Sequence, residues 1–237
     1  LIALIRIIAV GIFIVILSLL SFLCLLSPGN PLNTYRFSRG FKVLRYVFNV
    51  KIIERLPKKK LPKQYIYISN HQNLYDFVTS PEMLRPNTVT IGKKSILWIP
   101  FFGFLYWVTG NILIDRENKQ KARESLKKIE DLMQKKNLSF WFFPEGTRSY
   151  GKGLLPFKTG AFRMAIATGV PIVPVCVSDS NHIRKNKWNN GTVIAEMLEP
   201  IETSEYKITD AKKLANHCHD IMEKNIERLN NEVAKKS

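Results

Sequence analysis

A histidine and an aspartate five positions apart, in Asn70-His71-Gln72-Asn73-Leu74-Tyr75-Asp76, are the residues of this chain best suited by type to move a proton. A carboxylate that accepts a hydrogen bond from one imidazole nitrogen fixes the tautomer and leaves the other nitrogen free to take a proton from a hydroxyl. Spacing alone does not bring them together, because on an ideal helix five residues mean roughly 140° of rotation and about 7.5 Å of rise. They meet only if His71 lies outside the helix. Asn73, a good N-cap, allows this by starting a helix over residues 74–79 in which Asp76 is the third residue, near the positive end of the helix dipole. The plainer reading is that Asn73 and Asp76 only cap a helix and His71 is a polar loop residue.

The elements that must position this pair are legible as alternating strands and helices. Residues 65–68 (Tyr-Ile-Tyr-Ile) read as a short buried strand that Ser69-Asn70 terminates. Further strands are expected at 88–91, ending in Gly92-Lys93-Lys94, and at 111–114, ending in Asp115-Arg116. A nearly continuous apolar run over 138–143 reads as a central strand covered on both faces, and it stops at Pro144-Glu145-Gly146-Thr147-Arg148-Ser149. Ligand sites of open α/β sheets collect at such strand ends. A helix from about residue 117 to 136 buries Ala122, Leu126, Ile129 and Met133. The run 170–177, with Pro171 and Pro174, reads as an edge or irregular strand. A strand over 192–198 and an amphipathic helix over about 210–230, burying Leu214, Cys218, Ile221, Ile226 and Leu229, complete the chain. The aromatic stretch 96–108 is too short and broken to span a bilayer, so it is either core or the wall of an apolar channel, with core the default. Phe157-Lys158-Thr159-Gly160 lacks the glycine that a nucleotide-binding loop needs before its lysine.

Residues 7–26 carry no charge and are long enough as a helix to cross about 30 Å of hydrocarbon, which points to an uncleaved membrane anchor. After Pro28-Gly29-Asn30-Pro31, the residues Phe37, Phe41, Leu44 and Phe48 recur at helical spacing with Arg36, Arg39, Lys42 and Arg45 on another face. That pattern suits a basic amphipathic helix in the headgroup layer, or one that buries its aromatics against the domain. Residues 1–50 are therefore expected to form the anchor and 51–237 the catalytic domain. Ten Lys or Arg from 36 to 63, against Arg6 alone before the apolar run, place the bulk of the chain on the cytoplasmic side. The net charge of +17 calls for an anionic partner; with no nucleic-acid-binding motif present, phospholipid fits better. Cys24, Cys176 and Cys218 are widely spaced and read as free buried thiols. His217-Cys218-His219 face apart on a helix, so no metal site is expected there.

Taken in series, Asn70 to Asp76, Gly110-Asn111-Ile112-Leu113-Ile114-Asp115-Arg116, Phe143 to Ser149 and Val170-Pro171-Ile172-Val173-Pro174-Val175 resemble the four motifs of the glycerolipid acyltransferase family, in particular its bacterial branch acting on 1-acyl-sn-glycerol 3-phosphate. Asn73 and Leu113 stand where many members have Ser and Phe. The resemblance implies an α/β fold, a central sheet flanked by helices, and transfer of a fatty acyl group from acyl-CoA or acyl carrier protein to the free hydroxyl of lysophosphatidate at a bacterial inner membrane. It implies His71 as general base and Asp76 as its orienter. Lys93, Arg116 and Arg148 are cations for the acceptor phosphate, with Glu145, Gly146 and Thr147 shaping the acceptor site; no metal or cofactor is called for. Other acceptors, such as glycerol 3-phosphate or a lysophospholipid, are the same-class alternative. A non-catalytic lipid-binding protein is the different-class alternative, but it would have no need of a poised base.

Overall fold

The computed structural model describes residues 1–115 and 119–235. The chain runs α1 (Ile2–Ser21), α2 (Pro31–Phe41), α3 (Leu44–Phe48), β1 (Lys51–Arg55), β2 (Ile66–Ser69), α4 (Asp76–Thr79), β3 (Thr88–Lys93), α5 (Phe102–Val108), β4 (Ile112–Ile114), α6 (Lys119–Lys136), β5 (Ser139–Phe142), α7 (Gly160–Thr168), β6 (Ile172–Val177), β7 (Thr192–Met197) and α8 (Ala211–Ala234). The strands form one sheet in the order β1-β7-β6-β2-β5-β3-β4. All neighbours are parallel except β6 and β7.

β2 and β5 lie side by side at the middle, with Ile66 opposite Phe140 and Ile68 opposite Phe142. Period-two alternation splits their side chains between two cores. Ile66, Ile68, Phe140 and Phe142 pack with α6, α7 and α8, through Ile129, Met133, Phe162, Leu214 and Cys218. Tyr65, Tyr67 and Trp141 face the other way, onto Leu44, Phe48 and Val78. Both faces of β5 are therefore covered, as its unbroken apolar run requires. Of the expected α6 stripe, Leu126, Ile129 and Met133 are inward; Glu117 and the Ala122 side chain lie outside the described residues.

Three expectations are corrected. Residues 172–177 are not an edge strand, for β6 is fully buried between β2 and β7. Pro174 is tolerated there because it lies opposite Leu198, one residue past the end of β7. Its carbonyl accepts from Leu198 N–H at 2.8 Å, and the proline forgoes only the reciprocal bond to Leu198, at the very end of the ladder. The aromatic stretch is not core: Trp98, Ile99, Phe101 and Trp107 are exposed, and α5 packs beside α1, where Phe22 and Phe104 rings are 4.6 Å apart. The basic helix breaks at Lys42-Val43 into α2 and α3 and turns Leu44 and Phe48 into the core, whereas Tyr46 stays exposed.

Residues Ile2–Leu26 are long and apolar enough to cross a membrane by length and composition. α1 nevertheless lies along the domain. Arg6, Val10, Phe13, Leu17 and Ser21 form an inward stripe at helical spacing, while Leu4, Ile5, Ile8, Ile12, Ile16 and Leu19 face outward. Ser18 Oγ donates to Phe101 O at 2.9 Å. Arg6 points inward, is 5% exposed, and bonds backbone carbonyls of residues 47–48 and 184–188.

Candidate active site

Because β2 and β5 are parallel neighbours in register, the loops that leave their C-terminal ends emerge together. Past the end of β2, Asn70 and Gln72 turn toward the end of β6, and His71 between them turns toward Asp76 and Phe143. Asn70 exchanges two 2.9 Å bonds with the Val177 backbone through its side-chain amide. Gln72 donates to Val177 O and Ser178 O and accepts from Ser180 N–H. These buried amides act as a splice between β2 and the end of β6.

His71 Nδ1 lies 2.5 Å from Asp76 Oδ2. The same oxygen accepts from Gln72 N–H at 2.9 Å, so the carboxylate is held by two donors from the loop that it closes. As the spacing requires, His71 is outside the helix. The helix, however, is a single turn that starts at Asp76 rather than at residue 74. Asn73 Oδ1 accepts from Tyr75 N–H at 2.8 Å and so caps the turn that leads into it. So short an element has little dipole, and the carboxylate is oriented by its two hydrogen bonds instead.

The β5 loop closes the other side. The Phe143 ring stacks on the His71 imidazole at 4.1 Å and 18°. Glu145, 3% exposed, accepts from His71 N–H at 2.6 Å with one oxygen and from Leu155 N–H at 3.0 Å with the other. Ser149 N–H and Tyr150 N–H return to His71 O and Gln72 O, each at 2.9 Å. The loop is thus stitched to the His71 backbone, and Glu145 is its rivet. Burial pushes the Glu145 carboxyl up from its ordinary range, against the pull of its two backbone donors. Glu145→Gln should lower the melting temperature, because an amide presents its NH2 group to one of two buried backbone donors and orphans it, at about 1–3 kcal/mol. A calorimetric melt beside wild type checks this; an unchanged transition would mean that the rivet is dispensable.

Gly146 follows with φ +72, and a Cβ there would come within 2.6 Å of Lys158 Nζ. Only glycine suits both the backbone and the close approach of that amine. Thr147 is exposed and Arg148 half-buried. Arg148 Nε is buried and has no hydrogen-bond partner among the described residues. A buried guanidinium N–H is costly to leave unpaired, and an anionic ligand oxygen is the kind of group that satisfies it.

His71, Asp76 and Glu145 are thus brought into direct contact, with Gly146, Thr147 and Arg148 on the same loop. Lys93 ends β3 at this edge of the sheet, in register with Ile114. Arg116 lies outside the described residues. Lys158 was missed as a site residue: its backbone N–H bonds Pro144 O at 2.9 Å, and its side chain crosses Gly146. The one signal was its place in a Phe-Lys-Thr-Gly run soon after the Glu145 turn. The imidazole is partly exposed, and its Nε2 has no partner among the described residues, so the site presents a held base beside an anion-seeking loop.

The crystal structure of the 1-acyl-sn-glycerophosphate (LPA) acyltransferase from Thermotoga maritima superposes with a TM-score of 0.74. It covers 96% of this chain and 94% of that one at 20% identity, a likeness of fold. The family model described as Acyltransferase matches residues 47–178. The 1-acyl-sn-glycerol-3-phosphate acyltransferase of Escherichia coli K12 is 52% identical over 220 residues, 91% of this chain and 89% of that protein. The human 1-acyl-sn-glycerol-3-phosphate acyltransferase beta is 32% identical over 85% of this chain and 75% of its own length. The chain belongs to the acyltransferase family, and it is an acyl-transferring enzyme.

Proposed function

We propose that this protein transfers a fatty acyl group from a thioester to the sn-2 hydroxyl of 1-acyl-sn-glycerol 3-phosphate, giving phosphatidate. The observation that carries the reading is the His71 Nδ1 to Asp76 Oδ2 contact, which leaves Nε2 to face the acceptor. The substrate class is supported by the names of relatives at 51–52% identity. Nε2 takes the proton of the acceptor hydroxyl as its oxygen attacks the thioester carbonyl. The carbon–sulfur bond then breaks, and the imidazolium returns the proton to the leaving thiolate. Asp76 steadies the imidazolium between those steps. Arg148, with Arg116 and Lys93, grips the acceptor phosphate, and Lys158 joins them across Gly146. The donor is acyl-CoA or acyl carrier protein.

Direct transfer without an acyl-enzyme is supported by where the thiols lie. Cys176 and Cys218 are buried in the core on the α6–α8 side, and burial pushes the Cys218 thiol up to about 12. Neither is a nucleophile for this site.

A phospholipid membrane is the second partner, and the bacterial inner membrane with the catalytic domain on its cytoplasmic side is the proposed location. The outward face of α1 continues into exposed Phe22, Leu23, Leu25 and Leu26, and exposed Trp98, Phe101 and Trp107 lie on the segment packed beside the end of α1. Exposed aromatics beside an apolar helix suit the bilayer interface. A helix laid along the protein enters one leaflet by its outer face.

Incubation of the purified protein with lysophosphatidate, glycerol 3-phosphate or lysophosphatidylethanolamine, plus each donor, followed by mass spectrometry, tests the reaction. Phosphatidate should form from lysophosphatidate. Product from either other acceptor at the higher rate would reassign the substrate.

A further inference from the structure

Two charged side chains, Arg6 and Glu82, are buried outside the site and have no part in the chemistry above. Each ties the amino-terminal helices to one end of the segment that carries Asp76.

That segment needs holding. α4 is one turn and passes directly into a 3-10 turn, Ser80–Glu82. A helix so short has no stability of its own, so its position is set by what packs on it. At its front, Tyr75 and Phe77 flank Asp76 in the chain, and the Phe48 ring meets both edge-on, at 5.3 Å and 6.2 Å. Phe48 is in turn fixed by Arg6. The guanidinium carbon lies 5.6 Å from the centroid of the Phe48 ring, Nη2 donates to Phe48 O at 3.1 Å, and Nε donates to Val47 O at 2.8 Å. These are carbonyls at the C-terminal end of α3, where a cation is favoured. The remaining donors take Arg184 O and Lys185 O, both at 3.2 Å, Trp188 O at 3.0 Å, and Lys187 O. The planar fork of donors is used in full, which a lysine cannot copy.

At the back, the Glu82 side chain is wholly buried and pairs with Lys42 Nζ and, at 3.3 Å, with Arg45 Nη1. Lys42 follows the last residue of α2, and Arg45 is in α3. Lys42 Nζ also reaches Glu54 Oε1 at 3.4 Å, and removing one side of such a buried cluster is strongly destabilising.

We propose that the amino-terminal helices are a positioning element of the active site as well as an anchor: Arg6 and Phe48 in front, and Lys42 and Arg45 on Glu82 behind, clamp the turn that aims Asp76 at His71. The inference rests on the reading of His71 and Asp76 as base and orienter. It makes Arg6, Phe48 and Glu82 positioning residues for a reaction that they do not touch.

The test uses the full chain in detergent micelles with dispersed lysophosphatidate and acyl-CoA, so that recruitment to a bilayer does not limit the rate. In Arg6→Met, Phe48→Leu and Glu82→Gln, kcat should fall by roughly ten- to a hundredfold while both KM values stay within about twofold, as expected when a reacting group is misplaced by a fraction of an ångström. Arg6→Lys should recover part of the loss. The low-field proton resonance of the His71 Nδ1–H bond should weaken or shift in the same variants, a signature that a merely structural role would leave alone. Phe48→Leu preserves bulk and keeps the test open if the charge variants melt early. Wild-type kcat in the folded variants, losses confined to KM, or an unchanged Nδ1 proton would overturn the clamp. His71→Ala is the control. If it is inactive while the clamp variants are not, the clamp alone fails; if it is active, the base assignment fails first.

Discussion

His71→Ala should leave a folded protein with almost no turnover, because it removes the imidazole that Asp76 and the Phe143 ring hold in place as the base. Asp76→Asn is the more informative variant. Asp76 Oδ2 accepts from both the imidazole and Gln72 N–H. An asparagine oxygen in that place keeps both bonds but loses the charge that steadies an imidazolium, and an NH2 group there opposes the Gln72 donor and favours the wrong tautomer. Either way the loss should be on the order of 10²-fold or more in kcat in a protein that still folds. Initial rates measured alongside a thermal melt decide it. Wild-type-like turnover in folded His71→Ala would remove the base from the mechanism.

Arg148 should separate phosphate recognition from chemistry. The phosphate does not react, so a contact to it contributes about equally in ground and transition states, and its loss appears as a raised acceptor KM. Arg148 Nε, buried and unpaired among the described residues, is the donor an acceptor oxygen would satisfy. Arg148→Ala should cost about 2–3 kcal/mol of acceptor binding, roughly 30- to 150-fold in KM. Arg148→Lys restores the charge as a point without the planar fork and should recover only part. Two-substrate kinetics supply the check. If the thioester KM rises while the acceptor KM is unchanged, the arginine faces the donor carrier instead.

The parts of this molecule legible in the sequence are those where local pattern and tertiary role agree. Residues 65–68 read as a buried strand, and Ile66–Ser69 form the strand that launches His71; the apolar run before Pro144 reads as the central strand it is. The need to place His71 outside the helix followed from helical geometry alone. What escaped was decided by partners far along the chain. β1 has a mixed, charged pattern because it is an edge strand, and no strand was assigned there. Pro174 signals an edge, yet it sits inside the sheet because β7 ends beside it. The stretch 96–108 carries a core composition, yet Trp98, Phe101 and Trp107 are turned outward beside α1 and the segment after it. Arg6 reads as a flanking charge, and its burial depends on a ring of carbonyls that no local pattern announces. Lys158 was visible only as a failed nucleotide-loop lysine, since its relation to Gly146 arises from the return of the chain to Pro144.

Some partners of α1 and β1 lie far along the chain. β1 takes its ladder from β7, Lys51 opposite Thr192, and Arg6 is enclosed by carbonyls of residues 184–188. A ribosome therefore delivers an apolar helix with an unsatisfied cation and a strand without its neighbour, and both wait through most of synthesis. Closing loops of that length is slow, and until it happens Arg6 has only the carbonyls of Val47 and Phe48 among its native partners. Loss of the segment from about residue 184 onward would unseat the amino end of the protein as surely as a change within that end itself. The native contacts of α1 are complete only once residues 184–188 are in place.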